Sequence, residues 1–163
     1  MKPKRGEIRS LIKSFRYAFR GFYSCVKTER NMRIHISVAV AVSYLGAVFG
    51  LSRIEWSILL LLFGAIFTAE GLNTAIEALG DGQSEGYSKY VFIAKDVAAG
   101  AVLVLALVSA AVGALLFIKP ENFAKLFEIA RNIPLVLGFV VLVALGICFV
   151  FIGIPSIKKG KKL

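Results

Sequence analysis

Histidine, tryptophan and cysteine are scarce in this 163-residue chain, which has one His, one Trp and two Cys. His35 has no second His at ligand spacing, so it reads as a first-turn interfacial residue rather than a metal ligand. Cys25 and Cys148 lie in segments of different character with no CxxC spacing. That excludes a disulfide framework or a zinc site and leaves them as small packing residues. The usual nucleotide signatures are missing too. There is no GxxxxGK(S/T) loop, and Gly80-Asp81-Gly82 does not open a GxGxxG turn, so the chain either binds no nucleotide or uses an unrelated site. The first 33 residues hold no uninterrupted apolar core followed by a small-residue cleavage site, so insertion is expected to rely on the mature helices.

What the chain has in excess is apolar length. With 58% hydrophobic residues and a mean hydropathy of +0.77, it fits a small polytopic membrane protein and not a soluble domain. Lys and Arg outnumber Asp and Glu by 20 to 10, and half of the basic residues precede Ile34. A soluble basic domain would not carry such long apolar runs, so anionic lipid headgroups are the expected partner and nucleic acid is not.

From Glu7 to Lys27 the apolar positions Ile8, Leu11, Ile12, Phe15, Phe19, Phe22 and Val26 recur at helical spacing. Arg9, Lys13, Arg16, Arg20 and Lys27 fill the opposite side. This predicts an amphipathic helix in the membrane interface over about 7–29. Apolar runs then predict spans at about 34–51, 56–79 and 94–118. Residues 120–132 form a candidate second interfacial helix, the charge-free run 133–154 a fourth span, and Lys158 to Lys162 a basic tail. The N-terminal segment, the 80–95 loop and the tail together hold 16 basic residues, against Arg53, Lys119, Lys125 and Arg131 on the other side. The positive-inside rule therefore places both termini in the cytoplasm.

Within the second span stands Glu70-Gly-Leu-Asn73-Thr-Ala-Ile-Glu77, with Asp81 just beyond. At about 100° per residue, positions 70, 73, 77 and 81 share roughly 80° of arc. Ionised carboxylates in a membrane helix are costly unless partnered, so this face is a functional-site candidate. Counted from Trp56 at the outer face, Glu70 lies roughly 21 Å into the membrane and Glu77 roughly 31 Å, at the cytoplasmic boundary. Lys95, Asp96 and Glu29 approach the same boundary from the other helices. Carboxylates gathered without matching cations invite a divalent metal, and hard oxygen ligands with access to water favour Mg²⁺. Mg²⁺ points in turn to a phosphate substrate, hence to a metal-assisted reaction on a lipid at the inner leaflet.

Blander readings stand beside these. Glu70, Asn73 and Glu77 would serve as polar glue between helices, Asp81 as a solvated or capping residue, and Glu29 as an i, i+4 partner of Arg33. Lys95 and Asp96 would be an interfacial snorkelling pair, and Ala98 to Ala101 residues that let helices approach closely.

Glu29-Arg30-Asn31 with Ile34-His35, Glu55-Trp56, the Glu70 to Glu77 motif with Asp81, and Ala94-Lys95-Asp96-Val97-Ala98-Ala99-Gly100 together resemble the prokaryotic diacylglycerol kinase family. The resemblance runs over about residues 10–118 and is strongest to its Gram-positive undecaprenol kinase branch. It implies an all-α integral membrane kinase domain at 1–118, with an interfacial helix and three core spans, and an extension at 119–163 carrying the fourth. It also implies a homotrimer with sites between subunits, transferring the γ-phosphate of ATP with Mg²⁺ to a lipid hydroxyl. Undecaprenol is the first-choice acceptor and diacylglycerol the second. By position, Glu70 would be the general base, Glu29 and Glu77 would hold the metal, and Asn73, Lys95 and Asp96 would complete the catalytic set. Tyr17 and Glu85 would join Lys95 and Asp96 at the nucleotide. The chain departs from the family in two respects. Ser88 or its neighbours stand where members commonly carry a His, and the fourth span lies outside the three-helix core. Two other classes remain at this stage: a cation or proton-coupled transport subunit using Glu70 and Glu77 as a relay, and a catalytically lapsed scaffold.

Overall fold

The computed structural model describes residues 5–82 and 88–154, all of whose regular structure is helical. The helices are α1 (Arg5–Thr28), α2 (Arg30–Phe49), α3 (Arg53–Asp81), α4 (Lys89–Phe117), α5 (Pro120–Arg131) and α6 (Ile133–Ile152). Four of them, α2, α3, α4 and α6, are long and apolar enough to cross a membrane, as the sequence predicts.

Local chemistry sets the boundaries. Only Glu29, at φ −93° and ψ 120°, separates α1 from α2, which makes an elbow. Gly50 closes α2 at φ +70°, and Gly50 and Leu51 return their N–H groups to Ala47 and Gly46. Ser52 opens α3 with a capping box: its hydroxyl accepts from the Glu55 N–H at 3.3 Å, and the Glu55 carboxylate accepts from the Ser52 N–H at 2.7 Å. Ser88, whose hydroxyl accepts from the Tyr90 N–H, starts α4 ahead of the expected Ala94. Its Lys and Asp interrupt the apolar run without interrupting the helix. Asn132 ends α5 and caps α6, accepting from the Leu135 N–H.

The pairwise packing of the helices orders the spans α4, α3, α2, α6. The fourth span thus rests on α2, not on its sequence neighbour α4. Lipid offers little hydrophobic drive for helix association, so close approach and polar contacts must supply it. A Cβ on Gly146 would meet Ser37 Cβ at 3.2 Å, and one on Gly138 would meet Tyr44 Oη at 3.0 Å. The Tyr44 hydroxyl donates to the Leu135 carbonyl at 2.8 Å. At the far end of the bundle α5 is tied down by Lys119 on the Glu55 carboxylate and by Lys125, which donates to the Phe49 carbonyl at 2.8 Å. At the near end the elbow is packed by Cys25, Val26 and a fully buried Met32, against Ile36, Phe67, Phe149 and Ile154.

Candidate functional site

The elbow covers the carboxylate-bearing end of α3. Glu70 is 1% exposed, and neither of its carboxylate oxygens finds a hydrogen-bond partner among the described residues. Burying a carboxyl group without a partner costs roughly several kcal/mol, so its acceptors call for a partner that the described residues do not supply. One turn on, the Asn73 amide donates to the Glu77 carboxylate at 3.0 Å, while its own carbonyl oxygen is buried and unpartnered. The helical period brings these three together, as expected from their spacing.

One side-chain contact, through Thr74, ties this end of α3 to the elbow, and it was not legible in the sequence. The Thr74 hydroxyl donates to the Glu70 carbonyl at 2.9 Å and meets Cys25 Sγ at 3.1 Å. The Cys25 thiol is pushed up from its ordinary value, first by burial and further by the nearby charges of Glu29 and Glu70, with the Thr74 contact opposing. Glu29 stands at the bend itself, within electrostatic range of Glu70, as does Glu77. Its carboxylate accepts from the Thr28 hydroxyl at 2.8 Å. Arg33 does not pair with it. The guanidinium instead donates to the carbonyls of Val26 at 3.2 Å, Lys27 at 3.1 Å and Val150 at 3.4 Å.

A second group lies one turn beyond Glu77. Lys95 reaches back from α4 to Asp81 at 2.5 Å, so Asp81 is an ion-pair partner and not only a solvated helix end. Gly80 makes room: a Cβ there would stand 2.8 Å from both Lys95 Cε and Val91 Cγ1. Contacts thus join Lys95 to Asp81 and Asn73 to Glu77, while Glu29 and Glu77 both act electrostatically on Glu70. Asp96, about 100° further round α4, is exposed. Of the small residues near it, Ala98 is buried, but Ala99 and Ala101 are exposed and a Cβ on Gly100 would meet nothing within 4 Å. Close helix contact by the whole run is thus not made among the described residues. Tyr17 is exposed on α1, about 12 Å along the axis before Cys25, and Glu85 lies outside the described residues.

Among the described residues no three His, Cys, Asp or Glu side chains are grouped closely enough to hold a metal ion. Glu29 and Glu77 each lie within electrostatic range of Glu70, and carboxylates of this kind fit Mg²⁺, which commonly takes one or two protein carboxylates and completes its shell with substrate phosphates and water. The unpartnered acceptors beside them are consistent with that donor set.

The chain is 43% identical to the undecaprenol kinase of Bacillus subtilis over 117 residues, which cover 72% of this chain and 95% of the relative. It is 40% identical to a diacylglycerol kinase of Synechocystis sp. over 114 residues, 68% of this chain and 64% of that one. No solved structure matches it. Residues 16–117 match the prokaryotic diacylglycerol kinase family, so α2, α3 and α4 are its core, α5 and α6 lie beyond it, and the chain belongs to that family.

Proposed function

We propose that this protein transfers the γ-phosphate of ATP to the hydroxyl of a lipid at the cytoplasmic face of the cell membrane, with undecaprenol the preferred acceptor and diacylglycerol the second. The observation that carries the reading is the buried Glu70 carboxylate, whose two oxygens have no partner among the described residues, two turns above Glu77 on the α3 segment that runs to the cytoplasmic boundary. Kinase relatives favour phosphoryl transfer over a transport relay at this carboxylate. The acceptor order follows the higher identity and fuller coverage of the undecaprenol kinase.

In the proposed reaction the lipid hydroxyl oxygen attacks the γ-phosphorus, the bond to ADP breaks, and the hydroxyl proton passes to Glu70. Asn73 holds Glu77 in place through its 3.0 Å hydrogen bond. Glu29 and Glu77 would hold Mg²⁺, which neutralises charge on the phosphates. Lys95 and Asp96 complete the catalytic set and contact the nucleotide, together with Tyr17 and Glu85. Asp96, exposed in the single chain, would serve a neighbouring subunit in a homotrimer with shared sites. Residues 1–118 would be the catalytic unit and 119–163 an added one, with both termini cytoplasmic.

Purified protein offered both lipids with labelled ATP tests this directly. Faster transfer to diacylglycerol overturns the acceptor order, and no transfer to either overturns the reading. Glu70→Gln should lower turnover by about 10²–10⁴-fold while the protein stays folded. Near-normal activity in that variant would remove Glu70 as the base.

A further inference from the structure

α6 lies beyond the residues that match the family, yet its last turn is built into the elbow that carries Glu29. Phe149 and Ile154 pack on the Cys25, Val26 and Met32 cluster. Arg30, in the first turn of α2, stands 4.8 Å from the centre of the Phe151 ring. Arg33, one turn later, donates to the Val150 carbonyl and to those of Val26 and Lys27. Gly153 ends α6 at φ +67°, and a Cβ there would lie 3.5 Å from the Arg33 guanidinium carbon.

The physical logic is that of two helix ends meeting. The last four carbonyls of a helix lack intrahelical partners and carry a partial negative charge. The C-termini of α1 and α6 converge on the same point and would repel, and a planar guanidinium is suited to serve carbonyls of both. We propose that the end of α6 is a brace for the elbow, and that Arg33 is the positioning residue through which it fixes the Glu29 carboxylate relative to Glu70 and Glu77. A lysine keeps the charge but lacks the fork, and an α6 without Phe149 loses the packing behind it. This inference rests on Glu29 holding the metal.

The test is the binding of Mn²⁺, as a spectroscopic substitute for Mg²⁺, to the full-length protein with a non-hydrolysable ATP analogue, read by electron paramagnetic resonance. Arg33→Lys and Phe149→Ala should each weaken Mn²⁺ binding by about tenfold, the lower range seen when a ligand's supporting contact is lost. The Mg²⁺ concentration giving half-maximal activity should rise in parallel, with the lipid KM within about twofold of the parent, since the acceptor does not contact the elbow's outer side under this proposal. A purely structural role would lower the active fraction and leave metal affinity unchanged, and that result overturns the brace. Phe149→Ala decides the matter if Arg33→Lys does not fold. Glu29→Gln separates the two claims. If it weakens Mn²⁺ binding while the other two variants do not, only the brace falls. If it leaves Mn²⁺ binding intact, the metal role of Glu29 falls and takes the brace with it.

Discussion

Asn73 shows how much one amide does at this site. Its N–H group is the donor that holds Glu77, and it adds no charge beside Glu70. Asn73→Ala should reduce kcat/KM for MgATP by about 10–100-fold, the range seen when a ligand's supporting hydrogen bond is lost. Asn73→Asp should be worse, because it sets a second carboxylate about 3 Å from the first. Steady-state assays in mixed micelles distinguish the two. Cys25 makes a prediction about pH. Its raised pKa leaves little thiolate at neutral pH, so alkylation by iodoacetamide should be slow and should quicken only as the pH climbs past the ordinary thiol range. Mass spectrometry of native protein across pH 7–10 measures this, and fast labelling at pH 7 would contradict the burial of Cys25. At this scale the line of Glu70, Asn73 and Glu77 was legible because a helix repeats with a fixed period. The targets of Arg33 were not, because they are main-chain carbonyls whose position depends on where two distant helix ends meet.

The helices stand on local signals, and each has its own test. Ser52→Ala removes one half of the capping box of α3 and should cost about 0.5–2 kcal/mol of stability. It lies at the end of the bundle remote from Glu70, so the kinetic constants should stay as they are. Gly80→Ala acts differently. The new Cβ would press on Val91, whose branched side chain is stiff, and on the flexible end of Lys95. A loss of about 1–3 kcal/mol is expected from such overpacking, with the Lys95 to Asp81 pair displaced. Unfolding in mixed micelles compares the two, and a Gly80→Ala protein as stable as the parent would show that α3 and α4 part at little cost. Most element boundaries were readable from hydropathy and capping residues. The start of α4 was not, since Lys95 and Asp96 break the apolar run while Ser88 has already begun the helix.

Across the whole molecule the charge distribution predicts cytoplasmic termini, and α5 belongs at the end remote from the site. A hydrophilic maleimide added to intact cells should label Glu121→Cys, whereas a reporter fused after Leu163 should be active in the cytoplasm. Labelling of Glu121→Cys only after lysis would invert the arrangement. The number of spans was legible as runs of apolar residues. Their lateral order was not, because sequence neighbours usually pack together and α6 does not follow α4. Its seat on α2 depends on Gly138 and Gly146 meeting Tyr44 and Ser37, a match of shapes that no single segment displays.

That seat also has a history in time. Arg33 and Val150 are 117 positions apart. At ~5–20 residues per second, about 6 to 23 seconds of synthesis separate the two, and three spans are made before the partner of Arg33 exists. The elbow must therefore survive its own youth with one set of carbonyls to hold, and the last span arrives as a late settlement of a structure already in the membrane.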